Sequence, residues 1–337
     1  MSRTHHLRRM AATGAGLALA LFLTACGGNI GGGGSATAGK EYPSGPVKLL
    51  IGQDPGGSTD LIGRALADQV SDDLGVPVVV ENRPGANGAI AARELAGAAP
   101  DGQTLMVMVG SLAFITPLAV AEDQAIDLAD YEIVTGISQD DYVLVTSPAT
   151  GFRSVADLTA AGRPITFGTT GVGTGSQLSS ELLFRQAGVK STAVPFDGGS
   201  PTVTAVLGKQ VDVGSVQLGE AAKQIQAGEL VPLVTFATQR VSYMPDVPTA
   251  VESGLDVKVQ QSRAITAPKG TPPAIIERLH KAFGTAFATP KYKDFNTARL
   301  LTPNEVDGGA LREQWTGALK DYRARAQQYG IKLGGGS

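Results

Sequence analysis

Three short stretches hold the residues able to do chemistry, and all three have the same form. They are Pro55-Gly56-Gly57-Ser58-Thr59-Asp60, the loop Thr169 to Ser176 (TTGVGTGS), and Gly198-Gly199-Ser200 after Asp197. Each follows a short apolar run and precedes a helical pattern. A strand that feeds a Gly-rich turn into a helix start leaves main-chain N–H groups free at the positive end of the helix dipole. Such a turn is an anion-binding device. Glycine at 56, 57, 173 and 175 either lets a ligand approach the main chain or serves the turn geometry alone. Other chemistries lack their residues. Cys26 is the single cysteine, and His5 and His6 stand in the N-terminal leader, which leaves His280 alone on a helix among Arg278 and Lys281. Neither a zinc site nor a Ser-His triad can be assembled from that set. The run from Gly171 is not a dinucleotide fingerprint, because position 176 is Ser where G-x-G-x-x-G needs Gly. No cofactor, no metal and no catalytic residues are therefore expected.

The elements around these turns alternate. Val47, Leu49, Leu50 and Ile51 form an aliphatic run that reads as a buried parallel strand, followed by a helix from Ser58 with Leu61, Ala65, Leu66, Val70 and Leu74 on one face. Pro77 to Glu81 is a second strand, Asn87 to Gly97 an Ala-rich helix, and Thr104 to Val109 a third strand ending at Gly110-Ser111. Tyr131–Ile137 and Tyr142–Thr146 read as two further strands. A second block repeats the order: helix 154–161, strand 165–168, helix 177–187, strand 192–195, helix 201–207, strand 211–215, helix 220–227 and strand 230–237. Thr249 opens a short helix ending at Gly254, and 257–267 is extended. Two amphipathic helices close the chain, 274–288 and 309–328, the latter with Leu311, Trp315, Leu319 and Tyr322 on its apolar face. Strand–helix alternation is the pattern of a parallel α/β sheet.

At 337 residues, 42% hydrophobic and 18% charged, the chain has the composition of a globular protein large enough for two lobes. Arg3, Arg8 and Arg9 precede the apolar run Ala11 to Leu23, which has signal-peptide length and is too short for an ordinary membrane span. Leu23-Thr24-Ala25-Cys26 looks like a lipobox, which implies cleavage before Cys26 and a lipid anchor on its sulfur. The alternative is an ordinary secretory leader with an incidental cysteine. Without the three leader arginines, 25 basic residues face 31 acidic ones, a balance of −6. An acidic body with no basic run argues against nucleic-acid binding. Gly27 to Lys40 is low-complexity and reads as a tether.

Taken in order, these segments resemble a known family. YPSGPVKLLIG…PGGSTD, PVVVENRPGANG, APDGQTLM, GVGTGS, VPFDGGSPTVTAVLGKQVDV, AGEL, PDVPTAVESGL and APKGTPP are similar to the TctC/Bug receptors of tripartite tricarboxylate transporters. The likeness runs from Tyr42 to Leu333. It implies an α/β, type II periplasmic-binding-protein fold: two α/β lobes, a central ligand cleft and two hinge crossings, near Asp141–Leu144 and Asp256–Gln260. The expected organisation is a lipoprotein signal peptide (1–25), a flexible tether (26–41), lobe 1 (42–142 and 258–333), lobe 2 (143–257) and a Gly/Ser tail (334–337).

The resemblance further implies a solute-binding receptor, not an enzyme, held outside the cytoplasm by a lipid on Cys26. It would deliver a small organic acid to transporter membrane subunits, and a monomer is expected. The alternative is a sensor that presents its closed form to a kinase. Carried over by position, the carboxylate would be held in lobe 1 by Gln53, Pro55, Gly56, Gly57, Ser58, Thr59, Asp60, Gly110 and Ser111. In lobe 2 it would be held by Thr170, Gly171, Gly173, Thr174, Gly175, Ser176, Asp197, Gly198 and Gly199. Ser58 and Thr59 either cap the helix or touch ligand. Asp60 either accepts loop N–H bonds or touches ligand. The chain departs from the family pattern at Gln53, at Asp54 and at Val216-Gln217, where many members have an aspartate. Asp54 either points away from the pocket or pairs with a cationic part of the ligand. Arg263 either offers a bidentate carboxylate contact from the cleft or forms a salt bridge at the surface or hinge.

Overall fold

The structure is a computed structural model that describes residues 42–334. Cys26, the expected signal peptide and tether, and the last three residues lie outside the described residues. The described residues form one compact unit. Among the described residues no helix is long and apolar enough to cross a membrane.

β1 (Val47–Ile51), α1 (Ser58–Leu74), β2 (Val78–Asn82), α2 (Ala89–Ala96) and β3 (Thr104–Val109) form the opening block, with β1 central and parallel to both neighbours. Apart from Lys48 at the surface, β1 is aliphatic, which follows from burial on both faces. Leu49 and Ile51 pack in the cluster under α1, whereas Leu50 packs on the opposite side with Ala92 and Leu95 of α2. A four-residue helix, α3 (Ser111–Phe114), follows β3.

β4 (Tyr131–Thr146) is one continuous strand of 16 residues where the sequence suggested two. The polar run Ser138 to Asp141 looked like a break. It is instead buried within the strand, because its partners arrive from far away in sequence. Residues 131–141 of β4 pair antiparallel with β9 (Gln260–Pro268), which also pairs antiparallel with β3. Residues 142–146 change partners and pair antiparallel with β7 (Val213–Gln217) and β8 (Val231–Thr235). The sheet is thus mixed, and its two outer blocks are the parallel parts.

Between β4 and β9 lie α4 (Val155–Ala160), β5 (Ile165–Thr169), α5 (Gly175–Gln186), β6 (Ser191–Pro195), α6 (Gly199–Leu207) and α7 (Leu218–Gln226). β5 is parallel to both β6 and β7, giving the strand order β2-β1-β3-β9-β4-β7-β5-β6 with β8 on β4. Residues 249–254 form turns without a helix. Thr249 and Glu252 exchange N–H bonds through each other's side chains, 2.8 and 3.1 Å, so that capping chemistry is present with no helix to propagate. After β9 come α8 (Pro273–Ala288), α9 (Pro290–Arg299) and α10 (Gly308–Gln328). α9 was not visible in the sequence, because only Tyr292 and Asn296 of it are buried and it shows little apolar periodicity. Trp315 and Tyr322 of α10 pack against Phe114, and Leu311 is buried in the same core cluster, as the helical spacing predicts.

Candidate functional site

Four helices begin around one hollow between the halves of the molecule. α1 comes from the opening block, with Gly57 as its N-cap. α5, α6 and α7 come from the other block, capped by Thr174, Gly198 and Gln217. The hollow is a cavity of about 80 Å³ whose walls also include Ser111, Tyr142, Gln261 and Arg263. An adjoining hollow of about 210 Å³, the mouth, shares Gln53, Asn87, Thr170, Thr174 and Gly198 with it, and adds Asp54, Gly171 and Asp197.

The expected site residues divide into three groups. Gln53, Ser58, Thr59, Ser111, Thr170, Thr174, Gly198, Gly199 and Arg263 line the inner cavity, and Gly171 and Asp197 line the mouth. Gly56 and Gly57 face a neighbouring cavity on the far side of Ser58. Pro55, Asp60, Gly110, Gly173, Gly175 and Ser176 line none of these hollows. Gly56 has a φ of 84°, which glycine adopts without a steric penalty, while Gly57 is extended at −71°.

Ser58 does not cap α1. It is the first helical residue, and the cap position has no side-chain bond. Asp60 organises the turn instead. Its buried carboxylate accepts the Gly56 N–H at 2.8 Å, the Asn82 amide at 2.9 Å and the Arg64 guanidinium. Burial alone would raise its pKa, but the Arg64, Gly56 and Asn82 donors outweigh burial and hold it below the ordinary carboxylate range. Ser176 has a similar internal task. It is fully buried, and its hydroxyl accepts the Thr170 N–H at 2.8 Å and lies 2.9 and 3.0 Å from the hydroxyls of Thr170 and Thr174.

Arg263 reaches the cavity wall from β9 with its side chain 1% exposed. Its Nη1 pairs with Asp140 and donates to Ser138 Oγ at 3.3 Å, Nε donates to Thr59 Oγ1 at 3.1 Å, and Nη2 donates to Ser58 Oγ at 2.9 Å and Gln217 Oε1 at 2.6 Å. The five donors of the guanidinium therefore have five acceptors. Burial pushes the Asp140 carboxyl upward, opposed by Arg263, the Ser138 hydroxyl and the Thr302 N–H. The pair cancels in charge, so Arg263 adds no net positive charge to the hollow. Its bonds instead align Ser58, Thr59 and Gln217 along one wall.

Sequence reasoning missed Glu220, Asn87, Tyr142 and Gln261. Glu220 looked like an ordinary acidic residue in a first helical turn. It lines both the inner cavity and its neighbour beyond Ser58, and accepts the Ser58 hydroxyl at 3.1 Å across the halves. Burial raises its pKa, opposed by Arg263, the Ser58 hydroxyl and the main-chain N–H groups of Gln217 and Ser58. Asn87, within the PGANG turn, donates to Ser111 Oγ and Thr116 Oγ1 at 3.0 Å each and to the Gly173 carbonyl at 3.4 Å. Tyr142 begins the second part of β4, and its O–H donates to Gln261 Oε1 at 2.6 Å. Two amide atoms facing this region have no partner among the described residues: Gln217 Nε2 and Gln53 Oε1. His280 stays outside the site, on an exposed helix face with Nδ1 3.1 Å from the Val134 carbonyl.

The site can thus offer main-chain N–H groups, hydroxyls and amides to a small anion without an uncompensated cation. The comparisons agree with that chemistry. The family described as "Tripartite tricarboxylate transporter family receptor" matches residues 62–320. A Cupriavidus necator protein, "UPF0065 protein in gbd 5'region", is 34% identical over 295 residues, covering 86% of this chain and 89% of that protein. MatC from Rhodopseudomonas palustris, solved with bound malate, is 26% identical with a TM-score of 0.78 over 84% of this chain and 99% of that one. An R. palustris protein solved with adipate is 25% identical with a TM-score of 0.81 over 87% and 99%. The fold is that of the two-lobed periplasmic binding proteins. The chain belongs to the tripartite tricarboxylate transporter receptor family.

Proposed function

We propose that this protein captures a small organic acid, a di- or tricarboxylate or a related acid, in the hollow between its halves and delivers it to the membrane subunits of a tripartite transporter. It is not an enzyme on this reading, and works as a monomer tethered outside the cytoplasm by a lipid on Cys26. The lobes are residues 42–142 with 258–333, and 143–257, as the family resemblance implies. One observation carries the reading: helix starts and hydroxyls from both halves line a single hollow whose only arginine is already neutralised by Asp140. A carboxylate there takes charge-assisted bonds from dipoles fixed in advance, without the burial of a free cation.

Such a receptor works by differential binding. An acid that touches Ser111 in one half and Thr170 or Gly198 in the other binds the closed arrangement more tightly than the open one, and its binding energy drives closure. The Asn87–Gly173 and Ser58–Glu220 bonds add protein contacts that exist only when the halves meet.

Calorimetric titration with a panel of mono-, di- and tricarboxylates tests the reading. At least one acid binds, and Ser111→Ala weakens it about tenfold to a hundredfold, since a hydrogen bond to a charged group contributes ~1.5–3 kcal/mol. Absence of heat for every acid in the panel refutes it.

A further inference from the structure

Glu220 sits where the rest of the hollow is built to receive an anion. Its carboxyl group accepts the Ser58 hydroxyl of α1 at 3.1 Å; burial raises its pKa, and Arg263, the Ser58 hydroxyl and the main-chain N–H groups of Gln217 and Ser58 oppose that rise. It also lies directly over Gly199, where a Cβ would overlap it. The starts of α1, from one half, and of α6 and α7, from the other, therefore all meet at this one side chain. Beside it, Gln217 is 3% exposed, and its Nε2, an unused donor, borders the same cavity. The neighbouring cation, Arg263, is already paired with Asp140.

We propose that Glu220 is a specificity-determining residue that fills one carboxylate seat of the cleft with the protein's own carboxylate. The solute then brings a single carboxylate and turns a hydrogen-bond donor, an ammonium or a hydroxyl, toward Glu220. The inference rests on the carboxylate-receptor reading above and narrows it. A second carboxylate on the solute meets an occupied seat and a like charge. An ammonium or hydroxyl meets an acceptor held by fixed donors. Gln217 Nε2 and the Ser111 hydroxyl remain for the solute's one carboxylate.

The test is calorimetric titration of the purified full chain with acids of matched length: butyrate, succinate and 4-aminobutyrate; hexanoate, adipate and 6-aminohexanoate; 2-hydroxybutyrate and malate. The wild-type protein binds the amino- or hydroxy-monocarboxylate of a set at least about tenfold more tightly than the dicarboxylate. Glu220→Ser, which opens the seat, and Glu220→Gln, which keeps its shape without its charge, each shift that ratio toward the dicarboxylate by at least about tenfold. Circular dichroism checks that both variants fold, and the wild-type ratio decides alone if they do not. Equal affinity for the dicarboxylate and its matched partner, or an unchanged ratio in the folded variants, overturns the inference and leaves the carboxylate receptor standing. Absence of binding by any acid, in wild type and variants alike, overturns both.

Discussion

Replacing Asp140 by Asn removes the counter-charge of a guanidinium whose side chain is 1% exposed. The carboxylate also accepts the Ser138 hydroxyl at 2.7 Å and the Thr302 N–H at 2.9 Å, so the change disturbs a network and not an isolated pair. Breaking one partner of a buried pair costs roughly 3–5 kcal/mol, because the other charge stays buried and uncompensated. With an unfolding entropy near 2.1 cal/mol/K per residue over roughly 290 residues, each kcal/mol corresponds to about 1.6 °C, so Tm falls by ~5–8 °C. Thermal and urea unfolding followed by circular dichroism measure this. The paired replacement Asp140→Leu with Arg263→Met removes both charges, and most of the stability returns. A loss below about 1 kcal/mol in Asp140→Asn, or a double variant as unstable as the summed singles, would refute the view that Arg263 is held by a buried charge network.

Two further outcomes follow from local geometry. Asp60 has its pKa lowered in the folded protein, so it contributes stability above its unfolded value of about 4, and that contribution is lost as pH falls through the lower folded value. Asp60→Asn is therefore less stable than wild type at pH 7, and the two Tm curves converge in acid; a gap that persists at pH 2 would contradict this. Gly175→Ala places a methyl group against the Tyr142 ring, at the point where β4 changes partners. Overpacking of this kind costs about 1–3 kcal/mol, and an unchanged urea midpoint would show that the contact is slack.

The strand–turn–helix units could be read from the sequence because their causes are local. Aliphatic runs, Gly-rich turns and hydroxyl or acidic residues lie within a few positions of one another in 47–60, 165–176 and 192–200. What stayed hidden depends on partners distant in the chain. Ser138 to Asp141 read as a gap between strands, because nothing near them shows that Gln260 and Arg263, over a hundred residues later, take up their polar groups. Arg263 itself left two readings open, a ligand contact and a salt bridge. The structure pairs its Nη1 with Asp140 on the cavity wall, and its other donors meet Ser138, Thr59, Ser58 and Gln217. Ser58 and Thr59 invited a capping role by residue type, yet Gly57 holds the cap position and both hydroxyls serve Arg263. Glu220 was concealed by its ordinariness: only the folded chain shows it reaching across to α1. α9 was missed for the opposite reason, since a mostly exposed helix carries no apolar stripe to reveal it.

The central claim is that the two halves hold a small acid between helix starts that oppose each other. A crystal structure of the protein grown with the acid that binds most tightly in the titrations tests it most directly. Carboxylate oxygens are expected in the hollow between Ser111 and Gly198, within hydrogen-bond distance of groups from both halves. Density for the acid on an outer surface, or against one half alone, would contradict it.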